Sequence, residues 1–214
     1  MGWDITGFIE CRQQNTQEPD ASWAMIENLY PLYRGRNYDS FGCLFGWKNF
    51  AHFRPIARGR GLPPDVSPEI RNAYAEAEEY AAGTTWISWS EIKAIDWEEE
   101  SEQADSRIHR YERNEQGELV YKGKAAWSRE FMELVNSQQL ETEAGTMLSI
   151  MEALFVMPTR PEGQQWEKGN VVYKAEKLKR KEACSDWHGV FDAMQKLATT
   201  YGDDGVRLVV WFVF

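Results

Sequence analysis

VRLVVWFVF, residues 206–214, holds eight apolar side chains in nine positions, broken only by Arg207. A strand that is apolar on both faces belongs at the centre of a sheet covered on both sides, by helices or by a second subunit. Left as an open edge it would template aggregation. Residues 3–11 supply a natural neighbour. They alternate, with Trp3, Ile5, Gly7 and Ile9 on one face and Asp4, Thr6, Phe8 and Glu10 on the other. Just before the last strand, Trp187, Val190, Phe191, Met194, Leu197, Ala198 and Tyr201 recur at three/four spacing, a helix that Ser185 is placed to cap. These readings give an α+β fold in a single domain, 1–214. Its mixed or antiparallel sheet has the N- and C-terminal strands central and several packing helices.

Outward from that centre, 22–29 reads as a second strand antiparallel to the first, reached through a polar connection at 13–20. Asn37 is an N-cap for a short helix over 38–45, closed by Gly46. Residues 52–64 form an irregular loop. Ser67-Pro68-Glu69 starts a helix expected to reach Ala82 and stop at Gly83, with a short strand at 85–88. Ser88 and Glu91 have capping-box spacing for a helix over 89–95. Six acids crowd into 96–105, and 107–121 reads as a hairpin turning at 114–117, so 96–123 is a candidate excursion from the domain. Helices are expected over 124–139 and 142–156, and a loop over 159–170. Residues 171–184 begin as strand and then admit either reading.

Hydrophobic content of 43% and ten tryptophans support a folded core and exclude intrinsic disorder. The net charge of −10 argues against bulk nucleic-acid binding, which needs phosphate neutralisation, and against an anionic membrane surface. There is no apolar leader and no long apolar run, and the three cysteines are widely spaced. A protein of the cytoplasm with reduced thiols is the expectation. A face of the last strand left bare would make a homodimer.

Against that acidity, 34–61 is a basic island. Arg34, Arg36, Lys48, Arg54, Arg58 and Arg60 face one acid, Asp39, a local charge of +5 that leaves −15 to the rest. Either the island receives an anion or acids elsewhere in the chain, such as the 96–105 run, neutralise it. In Arg58-Gly59-Arg60-Gly61 the backbone can approach an anion closely while guanidiniums flank it. The candidate ligand site is therefore Arg36, Asn37, Asp39, His52, Arg54, Arg58 and Arg60, with Trp86 and Trp89 as stacking walls or core. The acidic remainder offers a surface for a basic host protein. Phosphate-loop, dinucleotide, nucleophile-elbow and zinc-protease motifs are absent from the sequence, and no cofactor is expected. An alternative is a metal-dependent phosphate-ester hydrolase with Asp4, Glu10 and His109 as ligands.

Met1-Gly2, Asp4-Ile5, Gly35-Arg36-Asn37-Tyr38-Asp39, Phe41-Gly42, Leu44-Phe45-Gly46, Arg54-Pro55-Ile56-Ala57, Arg60-Gly61-Leu62-Pro63 and Asp65-Val66-Ser67 resemble a family of uncharacterised phage and bacterial proteins. Trp86, 90–97 and 206–212 continue the similarity. Members of that family typically open Met-Gly-Cys-Asp-Ile-His, where this chain has Trp3 and Thr6 in place of the Cys and His. The resemblance implies a phage or prophage accessory protein in the host cytoplasm, or a phage structural or assembly component. It implies no chemistry.

Overall fold

A computed structural model describes residues 2–12, 22–125, 128–140 and 160–214, without the side chains of 136–140. In chain order its elements begin with β1 (Asp4–Cys11), β2 (Ala24–Asn28), α1 (Leu29–Leu32), α2 (Tyr38–Phe45), α3 (Pro68–Ala77), β3 (Ala81–Ser88) and α4 (Trp89–Lys93). Next come β4 (Ile108–Arg113), β5 (Leu119–Ala125), α5 (Arg129–Leu140), β6 (Gln165–Lys168) and β7 (Val171–Lys174). The chain ends with α6 (Arg180–Ala183), α7 (His188–Tyr201), a 3₁₀ turn at Asp203–Gly205 and β8 (Val206–Val213). The connection expected at 13–20 and the helix expected over 142–156 lie outside the described residues.

The chain divides into two compact units. One comprises Met1–Asn49, Arg54–Glu99 and Arg180–Phe214, and the other Phe50–Phe53 and Glu100–Lys179. Each is built on a four-stranded antiparallel sheet, ordered β2-β1-β8-β3 in the first and β5-β4-β7-β6 in the second. The fold is α+β.

In the first unit β8 is an inner strand, paired with β1 from Asp4↔Val213 to Cys11↔Val206 and with β3 on its other side. Both of its faces are covered. Val209 and Trp211 pack with Phe8 against Val66 and Ile70, and α3 adds the partly buried Ala73, Tyr74 and Ala77. On the opposite face Phe212 meets Phe41 and Phe45 of α2 and stacks flat on Trp47, 5.0 Å between centroids. From Val206 to Phe212 β8 is buried by its own chain.

Local chemistry explains the short helices. Asn37 Oδ1 accepts the Asp39 amide at 2.9 Å and Gly46 closes α2 in the left-handed region (φ 72°). Ser88 and Glu91 make the reciprocal capping box of α4. Several expected boundaries move, among them the start of the 124–139 helix, since Lys124 and Ala125 finish β5 and α5 begins at Arg129. The helix from Pro68 ends at Ala77, because Ala81 and Ala82 are taken into the sheet opposite Val213 and Phe212. Gly83 (φ 62°) then lies in a bulge of β3 instead of ending a helix, where a Cβ would strike the Trp47 ring at 2.6 Å. Ser185 does not cap the last helix, which begins at His188 after Trp187 with no side-chain cap.

The charge in β8 is held directly. Glu10 and Arg207 are cross-strand partners, both buried, with Arg207 Nε 2.6 Å from Glu10 Oε1. Arg207 Nη1 reaches Asp65 Oδ1 at 2.9 Å, and Glu10 Oε2 accepts the Ser67 amide at 3.0 Å, which ties the entry of α3 to the sheet.

In the second unit, Asn114 Oδ1 accepts the amides of Gln116 and Glu118 to form the β4–β5 turn. The loop expected over 159–170 contains β6, a strand held by its pairing with β7. Phe131 and Leu134 of α5 pack on Trp166, Tyr173 and Ile108.

Arg207→Met leaves Glu10 a buried carboxylate without its cation, and unfolding in urea is expected to show a loss of about 3–5 kcal/mol. Adding Glu10→Gln, which keeps an acceptor for the Ser67 amide, should recover part of it. A loss under about 1 kcal/mol in Arg207→Met would contradict the role assigned to the pair.

Candidate functional site

Arg36, Arg54 and Arg60 of the basic island pair with carboxylates of the first unit. Arg36 binds Asp4 through Nε and Nη2 at 2.8 and 2.6 Å. Arg54 lies 3.2 Å from Glu99, and Arg60 holds Glu91 with two bonds of 2.9 and 2.6 Å. Arg60 also donates to the carbonyls of Ile56 and Trp86. In Glu91, burial pushes the carboxyl up, but the Arg60 guanidinium and the Ser88 amide and hydroxyl outweigh it and hold the group below its ordinary value. Arg58 is exposed, its stem lying over Gly46. Of the acidic run, Glu99 serves the island, while Glu98 pairs with Lys181. Asn37 is committed as a helix cap and donates to Ala183 O and Asp186. Asp39 lies in the first turn of that helix. In the second unit, His52 Nε2 contacts Ser106 Oγ at 2.7 Å.

Trp86 belongs to an alternating stack. Arg60 and Arg207 lie 4.9 and 5.5 Å from its ring, Arg207 lies 3.7 Å from the Trp23 ring, and Arg12 lies 5.1 Å from Trp23. Trp23 donates its indole N–H to Asp65 at 2.8 Å. Cation–π contacts of this kind strengthen when desolvated. The ring read as a stacking platform is already engaged by guanidiniums.

Asp4 and Glu10, two residues of the metal alternative, do not share a site. Asp4 and Glu10 stand six residues apart on one strand, about 20 Å at ~3.3 Å per residue, and each already pairs with an arginine. His109 belongs to the other unit, and no group of three or more His, Cys, Asp or Glu among the described residues could hold a metal ion.

His109 instead joins a buried charge cluster. Its Nδ1 lies 3.0 Å from Glu176, which also accepts from the Tyr111 hydroxyl, and its Nε2 lies 3.6 Å from Asp105. Asp105 is fully buried and receives Arg107 at 2.9 and 2.7 Å and Lys124 at 2.8 Å. Burial pushes the Asp105 carboxyl up, yet the adjoining His109 ring, Arg107 and Lys124 hold it far below the usual carboxylate range.

An open cavity of ≈ 230 Å³ lies elsewhere in the first unit, lined by Trp89, Ile92, Lys93, Trp97, Lys181, Cys184, His188 and Phe191. The capping box of α4 sets Trp89, Ile92 and Lys93 on one wall. The segment from α6 into α7 supplies the other, with Trp97 and Phe191 in contact at 5.4 Å. Trp89 and Ile92 are buried, whereas Lys93, Lys181 and His188 are exposed at the rim. Lys93 pairs with Asp203 and Lys181 with Glu98, each at 2.6 Å. Among the candidate residues only Trp89 belongs to this lining. Sequence reasoning missed its partners because the walls come from 89–97 and 181–191, and no local pattern joins them.

Comparison of the chain with protein-family models, curated proteins and solved structures returns no match.

Asp105→Asn tests the buried cluster through pH. The depressed carboxyl contributes stability that is fully present above the unfolded value near ~3.9 and is lost as pH falls toward its folded value. The variant's deficit in urea unfolding should be complete at neutral pH and shrink in acid. A deficit that persists unchanged in acid would contradict the assignment.

Proposed function

We propose that the protein is a non-enzymatic binding protein that holds a small aromatic or apolar acid in the cavity between α4 and the 181–191 segment. A phage or prophage accessory role in the host cytoplasm is part of the same proposal, on the resemblance of the 34–67 segment. The observation that carries the ligand class is the lining. In a chain of net charge −10 it contains Lys93, Lys181 and His188 and no carboxylate, around walls of Trp89, Trp97, Ile92 and Phe191.

Each part of the ligand answers a feature of the site. A cavity of about 150 Å³ already admits benzene, so this one suits a one- or two-ring body. Burying that body gains roughly 25 cal/mol per Å² of apolar surface. Aromatic walls add offset or edge contacts to a ring. The acid end meets the lysines at the mouth, whose present partners are exposed ion pairs worth about 0–1 kcal/mol each, and exchanging one carboxylate for another there costs little. In the basic island Arg36, Arg54 and Arg60 hold Asp4, Glu99 and Glu91 respectively.

Isothermal titration with 1-naphthoate as probe, against uncharged 1-naphthalenemethanol, tests this reading. Naphthoate is expected to bind more tightly, and Phe191→Ala to weaken it about tenfold, the equivalent of ~1.4 kcal/mol. Lys181→Met should remove most of the preference for the acid. Equal affinity for the two probes, or loss of naphthoate binding on Arg58→Ala with none on Phe191→Ala, would overturn the assignment.

A further inference from the structure

Behind the cavity wall lie two thiols that the binding proposal does not use. Cys184, buried but part of the lining, shares a hydrogen bond with Cys43 of α2. Arg180 is fixed by Glu99 at 3.0 Å and by the Arg54 carbonyl at 2.9 Å, which leaves Nη1 3.4 Å from Cys43 Sγ. The arrangement brings one guanidinium, one thiol aimed at a second, and a route from solvent to the outer sulfur.

We propose that Cys43 and Cys184 form a peroxide-reactive dithiol that oxidises to a disulfide through the cavity. The S–H of Cys184 hydrogen-bonded to it, against the effect of burial and with the help of Arg180, holds the Cys43 thiol below its ordinary value. The same bond and burial hold the Cys184 thiol well above it. The Cys43 sulfur thus stands between the Arg180 guanidinium and Cys184. A low-pKa sulfur beside a cation and next to a second thiol is the chemistry of redox-responsive cysteines.

The steps balance with a hydroperoxide as oxidant. Cys184 Sγ attacks the distal peroxide oxygen and gives up its proton. The O–O bond breaks, and the departing alkoxide, or hydroxide from hydrogen peroxide, takes that proton. Cys184 is then a sulfenic acid beside the Cys43 thiol. Cys43 Sγ attacks Cys184 Sγ, the S–O bond breaks, and the hydroxide leaves with the Cys43 proton as water. Two sulfurs lose two electrons in total, and the peroxide becomes an alcohol (or water) and water.

Cys11 is an internal control. It is buried in β1, and burial with the neighbouring Glu10 charge pushes its thiol up to about 12. The full chain is treated with hydrogen peroxide, quenched with an alkylating agent and mapped by mass spectrometry without reduction. The expected result is a Cys43–Cys184 linked peptide that forms on the order of tenfold faster than any Cys11 oxidation. In Cys43→Ser, Cys184 should accumulate as a sulfenic acid trapped by dimedone. Three alkylated thiols after peroxide treatment, or oxidation of Cys11 as fast as the pair, would overturn the proposal. If Cys43→Ser fails to fold, the wild-type peptide map decides alone. The reaction does not need the cavity to bind an organic acid, so failure of naphthoate binding leaves it standing.

Discussion

The buried pair of Glu10 and Arg207 sets the first unit. Burying two charges is costly, and that cost is offset only if geometry and additional hydrogen bonds are good. Here Arg207 answers two carboxylates and an indole face, and Glu10 answers a guanidinium and a backbone amide. Because the two residues face each other across β1 and β8, a one-residue slip would turn each side chain to the opposite face. An otherwise uniformly apolar strand has little else to specify its register. The same pair ties in the loop before α3 through Asp65 and Ser67, so sheet and first covering helix are positioned together.

Arginine acts in this unit chiefly as internal cement. Arg12, Arg207 and Arg60 are interleaved with Trp23 and Trp86, and Arg36, Arg54, Arg60, Arg180 and Arg207 each hold a carboxylate. A planar guanidinium can stack on an indole and bond in its own plane at once, which lysine cannot do. Lys93 and Lys181, in exposed and weakly held pairs, flank an apolar cavity. The combination of cations with an apolar lining shifts the candidate site from the Arg- and Gly-rich loop to the cavity beside α4.

Much of the fold was legible because its signals are local. Asn37 and Gly46 bracket α2 within ten residues, Ser88 and Glu91 write α4, and the composition of 206–214 alone demands an inner strand. The readings that moved depend on distant partners. Ala81 and Ala82 read as helix until β8 is beside them, and Gln165–Lys168 reads as loop until β7 pairs with it. The site was less legible for the same reason. The cations of the island are close in sequence, but Asp4, Glu99 and Glu91, which hold Arg36, Arg54 and Arg60, are not. Arg207 meets a carboxylate 197 residues earlier. Trp89 could be picked out by its type and neighbours, whereas Lys181, Cys184, His188 and Phe191 become its companions only in three dimensions.

The central claim, that a ligand enters beside α4 and not at the basic loop, is tested most directly by the indole N–H signals in a ¹⁵N-labelled sample titrated with 1-naphthoate. Assigned through Trp→Phe variants, the Trp89 and Trp97 resonances should move and saturate together, while those of Trp23 and Trp86 stay in place within the arginine stack. Movement of Trp86 and Trp23 with Trp89 and Trp97 unmoved would contradict the account and return the site to the arginines of the 34–61 segment.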